Sequence, residues 1–378
     1  MDLDRRQLLA AGLVAALPWE ARAMADPVSA PPAYAAVALQ LPARSVEGAP
    51  DRAAARAAML RHIEEVGSKL RSAAIFIAQY GGSPVRLAVL PEYLLTSFPG
   101  RISIPAFAEF AALDMDGPEY EAFGRIAEQQ RLFLAGNAYE RDPHFPGLYF
   151  QTSFVVAPSG EVVLRYRRLN SMFAPTPHDV WTRYLDRYGL DGVFPVARTV
   201  IGNLAAIASE EILYPEIARA HGLRGAELFV HSSSEIGSPM PTQKAIARRA
   251  RAFENLAYVV SANTAGITGT SLPLASADGN SAVVDWQGRV LAESNAGETF
   301  TAFADIDLHA LRTGRRKPGM TNYRARQRLE LFAPVYAAAT GQPADGLLED
   351  GKVKTPDRDH FRRVHDEVIE RLAKEGLI

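Results

Sequence analysis

Three short segments place ionisable or nucleophilic side chains directly after apolar runs that read as strands. The first is Leu87-Ala88-Val89-Leu90-Pro91-Glu92. A carboxylate leaving a buried strand loses part of its hydration, which raises its pKa and suits it to general-base work. The second, Val163-Leu164-Arg165-Tyr166-Arg167-Arg168, ends in fixed positive charge. The third runs Leu204-Ala205-Ala206-Ile207-Ala208 into Ser209-Glu210-Glu211, then Tyr214-Pro215-Glu216. A sharp turn there presents Ser209 beside backbone N–H groups able to hold an oxyanion. Each position also admits a plainer role. Glu92 could be a buried carboxylate paired with Arg168, and Ser209 could cap the helix that follows.

The elements that must position these residues alternate along the chain. Apolar runs predict strands at Tyr34–Leu41, Val85–Leu90, Leu132–Ala138, Leu204–Ala208, Ala226–His231, Tyr258–Ala262 and Thr299–Ile306. Hairpins are expected around Pro158-Ser159-Gly160 and around Gln287-Gly288. Met59, Ile63, Val66, Leu70, Ala74 and Ile77 step by four and three, which predicts a long helix capped by Asp51 and stopped by Gly81-Gly82. Further helices are expected at Glu119–Gln130, Pro215–His221 and Pro241–Asn255. Such alternation with inserted hairpins implies a layered α/β domain over residues 26–310. Its strands are too numerous for one open sheet, so two stacked sheets with helices outside are expected. Residues 311–378 read as a C-terminal extension for packing or oligomerisation.

Composition narrows the chemistry. The chain has 378 residues and no cysteine, which excludes disulfides, zinc–thiolate sites, iron–sulfur clusters and a thiol nucleophile. Hydrophobic residues at 48% and charged residues at 22% are ordinary globular usage. A net charge of −2 gives no reason to expect a nucleic-acid partner. The eight histidines are scattered and no His-Glu-x-x-His occurs, so no metal or other cofactor is expected. Neither Gly-x-Ser-x-Gly nor Ser-x-x-Lys is present. Only six lysines stand against 35 arginines.

Taken in order, the three segments resemble the nitrilase, or carbon–nitrogen hydrolase, superfamily. The resemblance implies a four-layer αββα sandwich and cleavage of amides or nitriles by a Glu–Lys–Cys triad. Leu90-Pro91-Glu92 is similar to the glutamate motif, which implies a general base at Glu92. Tyr166-Arg167-Arg168 is similar to Tyr-Arg-Lys, and Ala208-Ser209-Glu210-Glu211 with Tyr214-Pro215-Glu216 to the cysteine motif. Arg251-Ala252-Phe253-Glu254-Asn255 with Asn263, the Gly279-Asn280-Ser281 hairpin and Asp305-Ile306-Asp307 follow in the family's order. Asp179, in Pro175-Thr176-Pro177-His178-Asp179, is the nearest counterpart of a second family glutamate, and a capping or turn role is open to it equally. By the same resemblance the chain is expected to form a homo-oligomer.

Two triad positions are altered: Arg168 stands for the lysine and Ser209 for the cysteine. Arg168 can still steady an oxyanion but cannot exchange protons near neutral pH. A serine hydroxyl needs a good adjacent base. No lysine lies within 70 residues of Arg168, so Lys244 could approach only through space. Two functions therefore stay open. One is an amidase acting on a small amide, with Glu92, Arg168 and Ser209 catalytic and Asp179, Glu210, His231 and Ser232 binding substrate. The other is a catalytically inactive protein of the same fold that binds a small amide or amine, or serves as a structural subunit. His231 reads first as a hydrogen-bonded structural histidine, with a place in the pocket as the alternative. Substrate choice is expected to rest on loops 171–188 and 232–241. The run Arg248-Arg249-Ala250-Arg251 reads as a solvated helix face or a subunit contact.

The N-terminus carries Arg5-Arg6, an apolar run from Leu8 to Leu17 and small residues around Ala23 and Ala25. That pattern predicts a twin-arginine export signal over residues 1–25 and a periplasmic protein. The run is too short to span a bilayer, which takes about 20 residues.

Overall fold

The computed structural model describes residues 30–378, apart from 101, 239, 340 and 358. The export-signal reading lies outside the described residues. No helix among them is long and apolar enough to cross a membrane.

The main strands are β1 (Tyr34–Ala38), β2 (Val85–Val89), β3 (Phe133–Arg141), β4 (Phe150–Val156), β5 (Val162–Arg167), β6 (Ala197–Thr199), β7 (Gly202–Ala208), β8 (Leu228–Ser232), β9 (Tyr258–Ala262), β10 (Ala282–Val284), β11 (Val290–Glu293) and β12 (Phe303–Ile306). The main helices are α1 (Arg52–Gly81), α2 (Pro118–Gln130), α3 (Trp181–Val193), α4 (Pro215–Leu223), α5 (Gln243–Asn255), α6 (Leu308–Arg316) and α7 (His360–Lys374).

They build two sheets. One runs β12-β1-β2-β3-β4-β5, with the short strand Leu113–Asp114 beside β3, and the other runs β11-β10-β9-β8-β7-β6. In each, the central pairs β1–β2 and β2–β3, or β7–β8 and β8–β9, are parallel and the hairpins are antiparallel. Period-two alternation explains the layers. On β1, Ala35 and Val37 join the core under α1 and α2, while Tyr34, Ala36 and Ala38 join the core shared with the second sheet. On β2, Ala88 faces the first core, and Leu87 and Val89 the second. Helices α4 and α5 cover the second sheet through Ile217, Ala218, Ala247 and Ala252. The result is the expected αββα sandwich.

Local chemistry fixes the helices. The Asp51 carboxylate accepts from Ala54 N at 2.8 Å, and α1 ends at Gly82, whose φ of 77° a side chain would resist. Its buried stripe includes Met59, Ile63, Val66, Leu70 and Ile77. Fully burying each such side chain is worth about 1.5–3 kcal/mol before entropy. Helix α6 packs on the second sheet, with Leu308 and Leu311 buried and Arg312 ion-paired to Glu227 at 2.8 Å. Farther on, Leu347 and Phe361 enter the first core.

Two sequence expectations change. The stretch 171–188, read as a loop, contains a turn at Pro177–Val180 and then α3. Arg248, read as part of a solvated face, is buried and ion-paired with Glu235.

Candidate functional site

The three segments converge at the strand ends. Glu92 follows β2, Arg168 follows β5, Ser209 follows β7, and Ser233 and Ser234 follow β8. The carboxyl ends of strands, where the chain turns away, are where α/β sandwiches open toward ligands. Cross-sheet bonds hold the two halves in register: Ser232 Oγ donates to Leu90 O at 2.7 Å, and Glu92 N donates to Ser233 O at 3.3 Å.

Ser209 occupies a strained elbow. Its φ of 49° lies in the left-handed region, uncommon for a residue with a side chain. The turn Ser209–Leu213 follows at once, and Pro215 then opens α4. His231 supports the elbow from β8. Its Nε2 meets Ser209 O at 2.8 Å and its Nδ1 meets Ser261 Oγ at 2.7 Å. A carbonyl can only accept, so Nε2 carries the proton and Nδ1 accepts from the Ser261 hydroxyl. Burial holds the imidazole neutral, its pKa well below the ordinary value.

Glu211 locks the elbow to the end of β5. Its buried carboxylate accepts from Tyr166 OH at 2.6 Å, Leu169 N at 2.8 Å and Asn170 N at 2.9 Å. Burial raises its pKa, and those donors together with the nearby Arg168 oppose the rise. This clamp places Arg168, whose Nε donates to Asn170 O at 2.6 Å. The guanidinium reaches Gln151 Oε1 at 2.7 Å, lies 3.7 Å from Glu92 and pairs with Glu210.

Glu92 is 3% exposed, and both its oxygens are engaged. Gln151 Nε2 donates to Oε1 at 2.6 Å, and Ser234 Oγ donates to Oε2 at 2.5 Å. Tyr93 OH in turn donates to Ser234. Ser209 is 4% exposed. Its hydroxyl is met by Lys244 Nζ at 3.1 Å, which also reaches Ser233 Oγ at 3.4 Å.

Glu92, Arg168, Ser209 and Glu210 therefore lie together. His231 and Ser232 stand behind them as frame, their polar atoms engaged with Ser209 O, Ser261 and Leu90 O. Asp179 belongs elsewhere. Its carboxylate closes a capping box, accepting from Thr176 N and Oγ1 at 2.8 Å each. Sequence reading missed Gln151, Ser233 and Ser234, and reached Lys244 only as a through-space possibility. Lys244 had one signal: it is the sole lysine between Lys69 and Lys317. No cluster of three or more His, Asp or Glu side chains able to hold a metal occurs among the described residues.

Comparison with known proteins agrees with this architecture. The chain is 28% identical over 183 residues to a formamidase of Helicobacter acinonychis, covering 48% of this chain and 51% of that protein. It is 27% identical over 247 residues to a formamidase of Bacillus cereus, covering 65% and 66%. The matched segment thus spans only about half of the first relative and two thirds of the second. Among solved structures, Saccharomyces cerevisiae Nit3, a nitrilase-superfamily member, superposes with a TM-score of 0.58 at 19% identity, covering 78% of this chain and 99% of that one. An amidase from Nesterenkonia sp. gives 0.55 at 17%, covering 80% and 96%. Residues 35–316, most of the chain, match the family described as carbon-nitrogen hydrolase. With the sandwich, the strand-end site and this match in agreement, the chain belongs to the carbon–nitrogen hydrolase family.

Proposed function

We propose that this protein hydrolyses a small amide, with Ser209 as the nucleophile. One observation carries the reading: the Ser209 hydroxyl stands on a left-handed elbow 3.1 Å from Lys244 Nζ, and Lys244 in turn feels the charges of Glu92 and Arg168, which lie 3.7 Å apart. A hydroxyl that merely capped α4 would need no amine at hydrogen-bond distance. In this reading Arg168 supplies fixed positive charge for the oxyanion that forms as the carbonyl is attacked. Glu92 supplies the opposite charge and sets Gln151 and Ser234 in place. The burial of Ser209 supports a compact substrate, a short aliphatic amide rather than a peptide.

The test is release of ammonia from a panel of formyl, acetyl, acryloyl and carbamoyl amides by the purified protein, with Ser209→Ala alongside. Turnover in the native chain and none in Ser209→Ala is the expected result. Turnover that survives Ser209→Ala overturns the nucleophile. Saturable amide binding without turnover in either protein favours the inactive binding reading. Export, supported by Arg5-Arg6 and the apolar run after it, is tested by whether residues 1–30 carry a reporter to the periplasm only when the twin-arginine route is intact.

A further inference from the structure

We infer that Lys244 is the general base that takes the proton from Ser209 Oγ, so that the working pair is Ser209–Lys244. The inference rests on Ser209 being the nucleophile.

Geometry carries it. Lys244 Nζ touches the reacting oxygen at 3.1 Å, whereas the oxygens of Glu92 are engaged by Gln151 and Ser234. The other polar contact of Nζ is a second hydroxyl, Ser233 Oγ at 3.4 Å. No ion pair of Lys244 occurs among the described residues, unlike the arginines Arg165, Arg167, Arg168 and Arg248. An amine bonded to hydroxyls has acceptors and donors within reach in both protonation states.

The helix beneath it favours the neutral amine. Lys244 sits in the first turn of α5, where Thr242 caps the helix and no acidic residue offsets the positive end of the helix dipole. A cation is disfavoured there. Burial adds to this and lowers the Lys244 pKa below the ordinary lysine value. The charged groups facing it divide: Glu92, Glu235 and Glu210 favour the ammonium, and Arg168 disfavours it. Arg168 cannot serve instead, because a guanidinium stays protonated.

The reaction balances with water as the only co-reactant. Neutral Nζ takes the Oγ proton as Oγ bonds to the amide carbon, and the carbonyl π pair moves to oxygen. As the carbonyl re-forms, the C–N bond breaks and the ammonium proton passes to nitrogen, releasing ammonia and leaving an acyl ester on Ser209. Water then gives a proton to Nζ and bonds to the acyl carbon. The ester C–O bond breaks, and Oγ recovers the proton from Nζ. Hydroxyl–amine pairs of this kind are a known solution to the weak nucleophilicity of serine.

The experiment follows acetylation of Ser209 by p-nitrophenyl acetate, using intact mass and the p-nitrophenolate burst across pH. The native chain is expected to form an adduct at Ser209 at a rate that rises with pH, with its midpoint below the ordinary lysine value. Lys244→Met should slow labelling by at least about 100-fold and remove that rising limb. Lys244→Arg keeps the charge and hydrogen bonds but cannot accept a proton, so it should be equally slow, with thermal melting showing that both variants fold. Ser209 labelling in Lys244→Arg at the native rate and midpoint overturns the role of Lys244 and leaves Ser209 as nucleophile. An adduct absent from Ser209 in the native chain overturns both.

Discussion

Strand β5 serves two buried polar clusters, one on each face. Arg165 and Arg167 point one way. Arg165 pairs with Glu140 at 3.0 Å, and Arg167 pairs with Glu140 at 3.3 Å and Asp142 at 2.6 Å. Tyr120 OH donates to Glu140, and Tyr188 OH to Asp142. The Arg167 guanidinium also lies 4.8 Å over Phe150 and 5.0 Å over Tyr188. Tyr166 and Arg168 point the other way, toward Glu211, Glu210 and Glu92. In the first cluster every charge is answered by an opposite charge and roofed by aromatic rings. In the second, the hydrogen bonds of Lys244 among the described residues go to hydroxyls, and Ser209 stands on a strained turn. Buried ionic groups that are fully paired specify structure, whereas incompletely neutralised ones are suited to moving protons. Adjacent arginines thus differ in role because a strand alternates its faces.

Substitutions can break this contrast. Ser209→Ala has the largest expected effect, about 10⁴–10⁶-fold in kcat for amide hydrolysis with the melting temperature unchanged. Arg167→Ala should instead strike stability. It leaves Glu140 and Asp142 buried beside fewer donors, which costs about 3–5 kcal/mol in chemical denaturation. Arg168→Met should lower kcat about 10²–10³-fold through loss of oxyanion support, with partial recovery in Arg168→Lys. If Arg167→Ala cut kcat without loss of stability, the two faces would not be separate. Asp179→Ala is the smallest, about 1 kcal/mol from a lost cap, with kcat unchanged in steady-state assays.

Much of the frame was legible because its signals are local. The four-and-three spacing of α1, the Asp51 cap and the buried run at Tyr258–Ala262 each depend on neighbours in sequence. The triad positions were legible as strand ends. Helix α3 was not. Its packed face is Trp181, Tyr184, Leu185 and Tyr188, and it follows a proline-rich segment that reads as loop. Those rings pack over Phe145 and the Arg167 guanidinium, a tertiary reason invisible in the segment itself. Arg248 was misread likewise, because its partner Glu235 lies 13 residues earlier in the irregular stretch after β8. Lys244 lies 35 residues from Ser209, and only the docking of α5 on the second sheet joins them.

The oxygen at the elbow has one more consequence. A thiolate can be driven through sulfenic, sulfinic and sulfonic states, and the last steps are irreversible. Ser209 has no such ladder, and the chain has no cysteine elsewhere. Peroxide and thiol-alkylating reagents that silence a sulfur nucleophile leave this hydroxyl unchanged, and under the proposed mechanism an acyl group held here would be an oxygen ester rather than a thioester.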